Sequence, residues 1–202
     1  MIAHRGASAE LPENTLPAFE RAIEVGADFV EFDVHAWPDG ELVVTHNRPH
    51  RLEALPTLAE VLDLCHGRIG VMVELKTPYR YRRHRIVERT LELLDGDAVV
   101  VCFEAGAIAL VRALRPELRT VQHVAFVPIR VAAARGCWAV GLEDRRATPR
   151  AIRAAQKLGL ATTVYTVNEP ARMLELATLR VTGFFTDAPA QALECLAHRA
   201  GA

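Results

Sequence analysis

The chain has 202 residues, half of them apolar, with 24 basic and 25 acidic side chains and a formal net charge of −1. That length suits a single domain with one sizeable core, and the near-neutral charge excludes the basic footprint of generic nucleic-acid binding. No apolar run approaches the roughly 18 residues of a membrane span, and the N-terminus lacks the charged and apolar stretches of a secretory signal, so a soluble cytoplasmic protein is expected.

Strand-like runs alternate with helical patterns along the whole chain, the mark of βαβ units and a parallel sheet. The first strand, 1–4, ends on His4-Arg5-Gly6. The second, 27–34, alternates so that Glu31 and Asp33 project to one side and Val30, Phe32 and Val34 to the other. After the turn sequence Pro38-Asp39-Gly40, an extended run over 41–46 reads as a prolongation of the second strand, with His46 at its end. Thr57 with Glu60 three residues on is a capping-box start for the next helix.

The third strand, 70–76, carries Glu74 and Lys76 on one face. Further strands follow at 98–103, 119–126, 138–143, 161–167 and 183–186. Thr148-Pro149 and Asn168-Glu169-Pro170 are read as further helix openings. The fifth unit has the weakest pattern, because 121–131 contains a proline and little periodicity. Eight units in a chain this short predict an α/β fold, a (β/α)8 TIM barrel of one domain over 1–202, near the floor of about 200 residues for such barrels.

Two carboxylates as close as Glu31 and Asp33 repel unless a cation compensates them. With Glu74 as a third oxygen ligand, the set suits a hard divalent metal, Mg2+ or Ca2+, rather than zinc. The bland alternative is a salt-bridge network with Arg5 and Lys76. His4 and His46, ending neighbouring strand regions, have the titration range of a general acid and a general base. Arg5 and Lys76 are suited to an anionic phosphate. Lys76 and Lys157 are the only lysines, which makes a lysine beside a carboxylate more telling.

Cys65, Cys102, Cys137 and Cys195 form no C-x-x-C pair and are expected to be reduced, packed thiols. Cys102 is a remote candidate nucleophile. Ser8 is the only serine and no G-x-S-x-G elbow exists, which disfavours a serine hydrolase.

Taken in order, His4-Arg5-Gly6, Pro12-Glu13-Asn14-Thr15, Gly26-Ala27-Asp28 leading into Glu31-Phe32-Asp33, His46, Glu74-Leu75-Lys76, Thr166-Val167-Asn168 and Thr186-Asp187-Ala188-Pro189 resemble the glycerophosphodiester phosphodiesterase family over nearly the whole chain. The resemblance implies a (β/α)8 barrel that uses a divalent metal to hydrolyse small glycerophosphodiesters to sn-glycerol 3-phosphate and an alcohol. It implies that Glu31, Asp33 and Glu74 hold the metal, that His4 and His46 are the acid-base pair, that Arg5 and Lys76 bind phosphate, and that Glu13 orients Arg5.

The chain departs from the family pattern at three places. Asn47 stands where aspartate is usual, only 48–56 separates it from the next helix where the family inserts a small subdomain, and Tyr165 replaces the tryptophan usual before Thr-Val-Asn. Tyr165 keeps an aromatic wall for the substrate, and the missing insertion implies a more open mouth.

Two basic segments stand outside the motifs: Arg48, His50 and Arg51, and Arg80, Arg82, Arg83, His84 and Arg85. Both are expected on the catalytic face, to gather anionic substrates or contact an anionic lipid surface. The second is expected at a helix start, where positive charge opposes the helix dipole. Two alternatives to the leading reading stand: a sphingomyelinase-D-type phospholipase acting on lipid headgroups, and a catalytically weak binding or scaffold member of the family. Oligomeric state is not legible.

Overall fold

The computed structural model describes residues 1–37, 39–49, 55–125 and 127–200, with side chains through 197. The strands are β1 (Ile2–His4), β2 (Phe29–Ala36), β3 (Leu42–Val44), β4 (Gly70–Leu75), β5 (Val99–Cys102), β6 (Arg119–His123), β7 (Ala139–Glu143), β8 (Ala161–Tyr165) and β9 (Gly183–Thr186). The helices are α1 (Leu16–Val25), α2 (Leu58–Cys65), α3 (Ile86–Leu93), α4 (Ala105–Leu114), α5 (Ile129–Ala134), α6 (Pro149–Lys157), α7 (Pro170–Thr178) and α8 (Pro189–Ala200).

Parallel pairing runs β1-β9-β8-β7-β6-β5-β4-β2 and returns from β2 to β1, which closes a barrel of eight parallel strands with helices between them. Strand alternation divides the apolar residues between two layers. Ile2, Met72, Val99, Val101, Val121 and Phe185 fill the barrel interior. Val30, Phe32, Val73 and Val100 face outward against Phe19, Leu58, Val61 and Ile108 of the helices. Phe19 meets Phe32 edge-on with centroids 5.7 Å apart. Each such fully buried side chain contributes about 2–3 kcal/mol.

Threonine side chains cap three of the helices. Thr15, Thr57 and Thr148 cap α1, α2 and α6, and the Thr57–Glu60 capping box is complete. The Asn168-Glu169-Pro170 opening is found at α7, with Glu169 the residue before the helix and the Asn168 side chain turned to Asp187. The weak fifth unit is present as β6 and a six-residue α5.

The run over 41–46 does not prolong β2. Its core is β3, antiparallel to β2 with Val44 opposite Val34, because the turn reverses the chain. Thr45 N–H donates to Asp33 O at 2.9 Å, so the return leg brings His46 back to the level of the barrel rim. Among the described residues no helix is long and apolar enough to cross a membrane.

Candidate active site

The site begins in a strained turn. Arg5 and Gly6 follow β1 with φ of 57° and 84°, both left-handed. A Cβ at Gly6 would lie 2.6 Å from the Ala18 carbonyl carbon, so only glycine lets the chain pass α1 this closely. The turn aims the Arg5 N–H at Glu31 Oε2, 3.2 Å away. It also sends the Arg5 guanidinium to Glu13 Oε2 at 2.7 Å and Asp33 Oδ2 at 3.1 Å. Next to Glu13, Asn14 donates to Asp33 Oδ2 at 2.9 Å and accepts from the Asp33 N–H at 3.2 Å. Thr15 then caps α1, so three consecutive residues serve the turn, the carboxylate and the helix.

Register puts His4 beside Glu31 and Asp33 beside Glu74 on three neighbouring strands. Glu31, Asp33 and Glu74 are buried, and each offers an oxygen within 4.8 Å of the others. Lys76 Nζ lies 2.9 Å from Asp33 Oδ1 and 2.7 Å from Glu74 Oε1. The salt-bridge network considered from sequence therefore exists, but it covers the carboxylates unevenly.

Burial would raise Asp33, yet Lys76 and Arg5 together hold its pKa below the usual carboxylate value. Burial outweighs Lys76 at Glu74, which is raised. Glu31 is raised well above the ordinary value by burial, then by the charges of Asp33 and Glu74. Two cations face three carboxylates, and Glu31 is the one with no side-chain ion pair among the described residues. A hard cation with oxygen ligands is the group that such a donor set fits.

His4 Nδ1 lies 2.6 Å from Asp187 Oδ1. Asp187 is held in turn by Asn168 Nδ2 at 2.7 Å and Ser8 Oγ at 3.2 Å. Despite burial, these bonds hold the Asp187 carboxyl down at about 2. The pairing fixes the His4 tautomer with its proton on Nδ1 and leaves Nε2 to accept. His46 is half-buried, and its pKa is lowered by burial first and then by Arg5. Its carbonyl accepts from Nε2 of buried His35 at 3.3 Å. His35 Nδ1 therefore accepts from the Tyr81 hydroxyl at 2.9 Å.

Across the barrel mouth, Tyr165 packs on His123 with centroids 4.2 Å apart and meets Phe103 edge-on at 5.8 Å. His123 is buried over Gly141, where a Cβ would come within 3.0 Å of its ring. Burial, then Lys76 and His4, push its pKa down to about 3, so it is neutral. Neither of its ring nitrogens, nor the Tyr165 hydroxyl, has a hydrogen-bond partner among the described residues.

The basic segments meet at the rim. Arg48, Arg80 and His84 line one cavity with Ala36, Pro49 and Tyr81. His50 and Arg51 lie outside the described residues. The expected placement at a helix start holds for Arg85, the residue before α3, whereas Arg82, Arg83 and His84 close a 3-10 turn over Pro78–His84, a favourable end for cations. Cys65, Cys102 and Cys137 are buried and all four cysteines are free. Burial pushes the Cys102 thiol up to about 12, which removes it as a nucleophile.

A model of the glycerophosphoryl diester phosphodiesterase family matches residues 4–66 and 47–191. The chain belongs to that family. Its chemistry is accordingly phosphodiester hydrolysis. A glycerophosphodiester phosphodiesterase of Bacillus altitudinis is 29% identical over 238 aligned residues, covering 96% of each chain. A crystal structure of a glycerophosphodiester phosphodiesterase from Parabacteroides distasonis superposes with a TM-score of 0.86 at 25% identity, covering 98% of this chain and 97% of that one. An Oleispira antarctica phosphodiesterase, solved with its product sn-glycerol-3-phosphate, shares the fold with a TM-score of 0.87 at 22% identity over 97% and 96% of the two chains.

The two stretches matched by the glycerophosphoryl diester phosphodiesterase model overlap in the segment after His46, where the family's small subdomain is usual. Here Val44 N–H donates to Pro56 O at 2.8 Å, so the chain is back at the barrel wall ten residues after His46. Asn47 is exposed. The residues expected from sequence, His4, Arg5, Glu13, Glu31, Asp33, His46, Glu74 and Lys76, converge at one end of the barrel, with Tyr165 on the facing wall.

Asn14, Asn168 and Asp187 were given no part in the site from sequence, although each sat inside a quoted motif. His35 was also passed over, and its signal was legible: it continues the alternation of Glu31 and Asp33 on the same face of β2.

Proposed function

We propose that this protein hydrolyses glycerophosphodiesters to sn-glycerol 3-phosphate and an alcohol, with Glu31, Asp33 and Glu74 holding a divalent cation, Mg2+ or Ca2+. The observation that carries the reading is the buried carboxylate trio, in which Glu31 has no side-chain ion pair among the described residues, beside two histidines and two cationic side chains. When bound, the cation supplies withdrawal of negative charge from the phosphodiester.

Arg5 and Lys76 bind and orient the phosphate, and Glu13 holds the Arg5 guanidinium from outside. Asp187 accepts from Nδ1–H of His4 and so orients the ring with Nε2 free to exchange a proton. Together His4 and His46 move the proton from the attacking hydroxyl to the departing alcohol oxygen. Tyr165, with Phe103 and His123, forms the wall against which the organic part of the substrate rests.

A headgroup-cleaving reading on lipid would use the same residues. It is favoured by one feature: Tyr79 is 71% exposed on the rim, with the Arg82 guanidinium 5.4 Å from its ring and Arg80 and Arg83 alongside. That is the kind of surface that would touch an anionic bilayer.

The test is release of glycerol 3-phosphate from glycerophosphocholine with and without EDTA, then with Mg2+ or Ca2+ restored, with His46→Ala as control. Activity abolished by EDTA, restored by metal and lost in the variant is expected. Cleavage of sphingomyelin or lysophosphatidylcholine vesicles without turnover of the soluble diester would replace the proposal with the lipid reading.

A further inference from the structure

The rim cavity beside Tyr81 has a volume of about 220 Å³, and its charged lining is Arg48, Arg80 and His84. Among the described residues no carboxylate lines it, and no ion pair joins Arg48 or Arg80 to an acidic group. Both arginines are exposed at the rim, and His84, which lines the cavity with them, is partly buried. Two guanidiniums and an imidazole that converge on one cavity make a setting in which an anion can be held by several donors at once. The cavity is smaller than the roughly 300–1,000 Å³ of a whole-ligand pocket, and so suits one group of a larger molecule.

Its position relates it to the reaction. Ala36 lies three residues beyond Asp33 on β2, about 10 Å farther along the strand. Arg48 follows His46 by two residues, and Arg80 follows Lys76 by four. The cavity wall is Tyr81, whose hydroxyl bonds His35, which in turn bonds the His46 carbonyl. Tyr81 and His35 thus link the cavity wall to the backbone of the candidate catalytic histidine.

We propose that this cavity is a second anion subsite, taking a phosphate monoester carried on the alcohol half of the diester. The inference rests on the phosphodiesterase reading for its substrate, but binding can be measured without turnover. Arg48 and Arg80 would grip the second phosphate by charge-assisted hydrogen bonds while Arg5 and Lys76 hold the diester. Diesters bearing that group would bind more tightly than those without it.

The experiment compares glycerophosphoinositol with glycerophosphoinositol 4-phosphate, by kcat/KM and by calorimetric Kd, at low salt where such contacts are least screened. Wild type is expected to favour the phosphorylated diester by about tenfold, the scale of one pair of charge-assisted bonds. Arg80→Gln should bring that ratio close to one. Arg82→Gln, whose side chain stacks on Tyr79 outside the cavity, should keep it.

A wild-type ratio near one overturns the proposal. So does an equal loss in Arg80→Gln and Arg82→Gln, which would mean a diffuse field rather than a subsite. Binding by Arg80 to vesicles of phosphatidylcholine doped with phosphatidylinositol 4-phosphate, without discrimination between the soluble diesters, would assign the arginines to a membrane surface and also overturn it. If neither diester is turned over, the phosphodiesterase reading fails, and the ratio of the two Kd values still decides the subsite.

Discussion

Asp187→Asn tests whether the bond to His4 matters for chemistry or only for packing. In the folded protein, Asp187 accepts from His4 and Ser8 on one oxygen and from Asn168 on the other. Asparagine has a single acceptor oxygen, so either His4 or Asn168 must face its NH2. If His4 does, its proton moves to Nε2 and the imidazole can no longer accept there.

The Asp187 carboxyl lies at about 2 against an ordinary 3.8, worth about 2 kcal/mol of preference for the ionised form. Its side chain is 33% exposed, and solvent screening reduces the contribution to about 1 kcal/mol. Because the folded pKa is depressed, this stability is present above about pH 4 and is lost as pH falls through about 2. The variant should therefore lose about 1 kcal/mol at pH 7 by urea unfolding. Its kcat for glycerol 3-phosphate release from glycerophosphocholine should fall about 10²- to 10⁴-fold, as when a catalytic histidine is left in the wrong tautomer. A folded variant whose kcat stays within about threefold of wild type would refute the argument from tautomer control.

Three further outcomes are expected. Glu31→Gln removes the least compensated buried carboxylate; in EDTA it should melt about 2–4 °C higher, near 1 kcal/mol, and should lose the rise in Tm that Mg2+ or Ca2+ gives wild type. An unchanged metal response in differential scanning fluorimetry would remove Glu31 from the ligand set. His123 has its pKa depressed from 6.5 to about 3 by burial, so its unfolded form takes up a proton first and stability is lost as pH falls from 6.5 towards 3. His123→Phe should flatten that loss between pH 7 and 4.5 and match or exceed wild-type stability at pH 7 by about 1 kcal/mol, whereas an acid sensitivity as steep as wild type would place the titration elsewhere. Gly6→Ala puts a methyl group 2.6 Å from the Ala18 backbone in a left-handed turn and should cost about 3–5 kcal/mol in urea unfolding; a loss below about 1 kcal/mol would mean that α1 yields to it.

Period-two alternation was enough to put Glu31 with Asp33 and Glu74 with Lys76 on single strand faces, because side-chain direction in a strand depends only on neighbouring residues. Capping at Thr57 and Thr148 was legible for the same local reason. The eight-unit rhythm predicted the barrel, and it matched because each strand reads as a short apolar run between helices. The direction of 41–46 was not legible: whether a turn continues a strand or reverses it depends on what the second leg pairs with, and here β3 pairs back on β2.

The partners that finish the site are farther away still. Asp187 is 183 residues from His4, and nothing in either local sequence announces the pair. They meet because β9 closes on β1, and that closure follows from the stagger and tilt summed over all eight strands. Likewise Arg48 and Arg80 share a cavity only because β3 returns along β2 and β2 pairs beside β4. The sequence by itself determined which residues could do chemistry and which way each pointed from its strand. Tertiary structure decided which of them meet, because meeting depends on a register that no single segment contains.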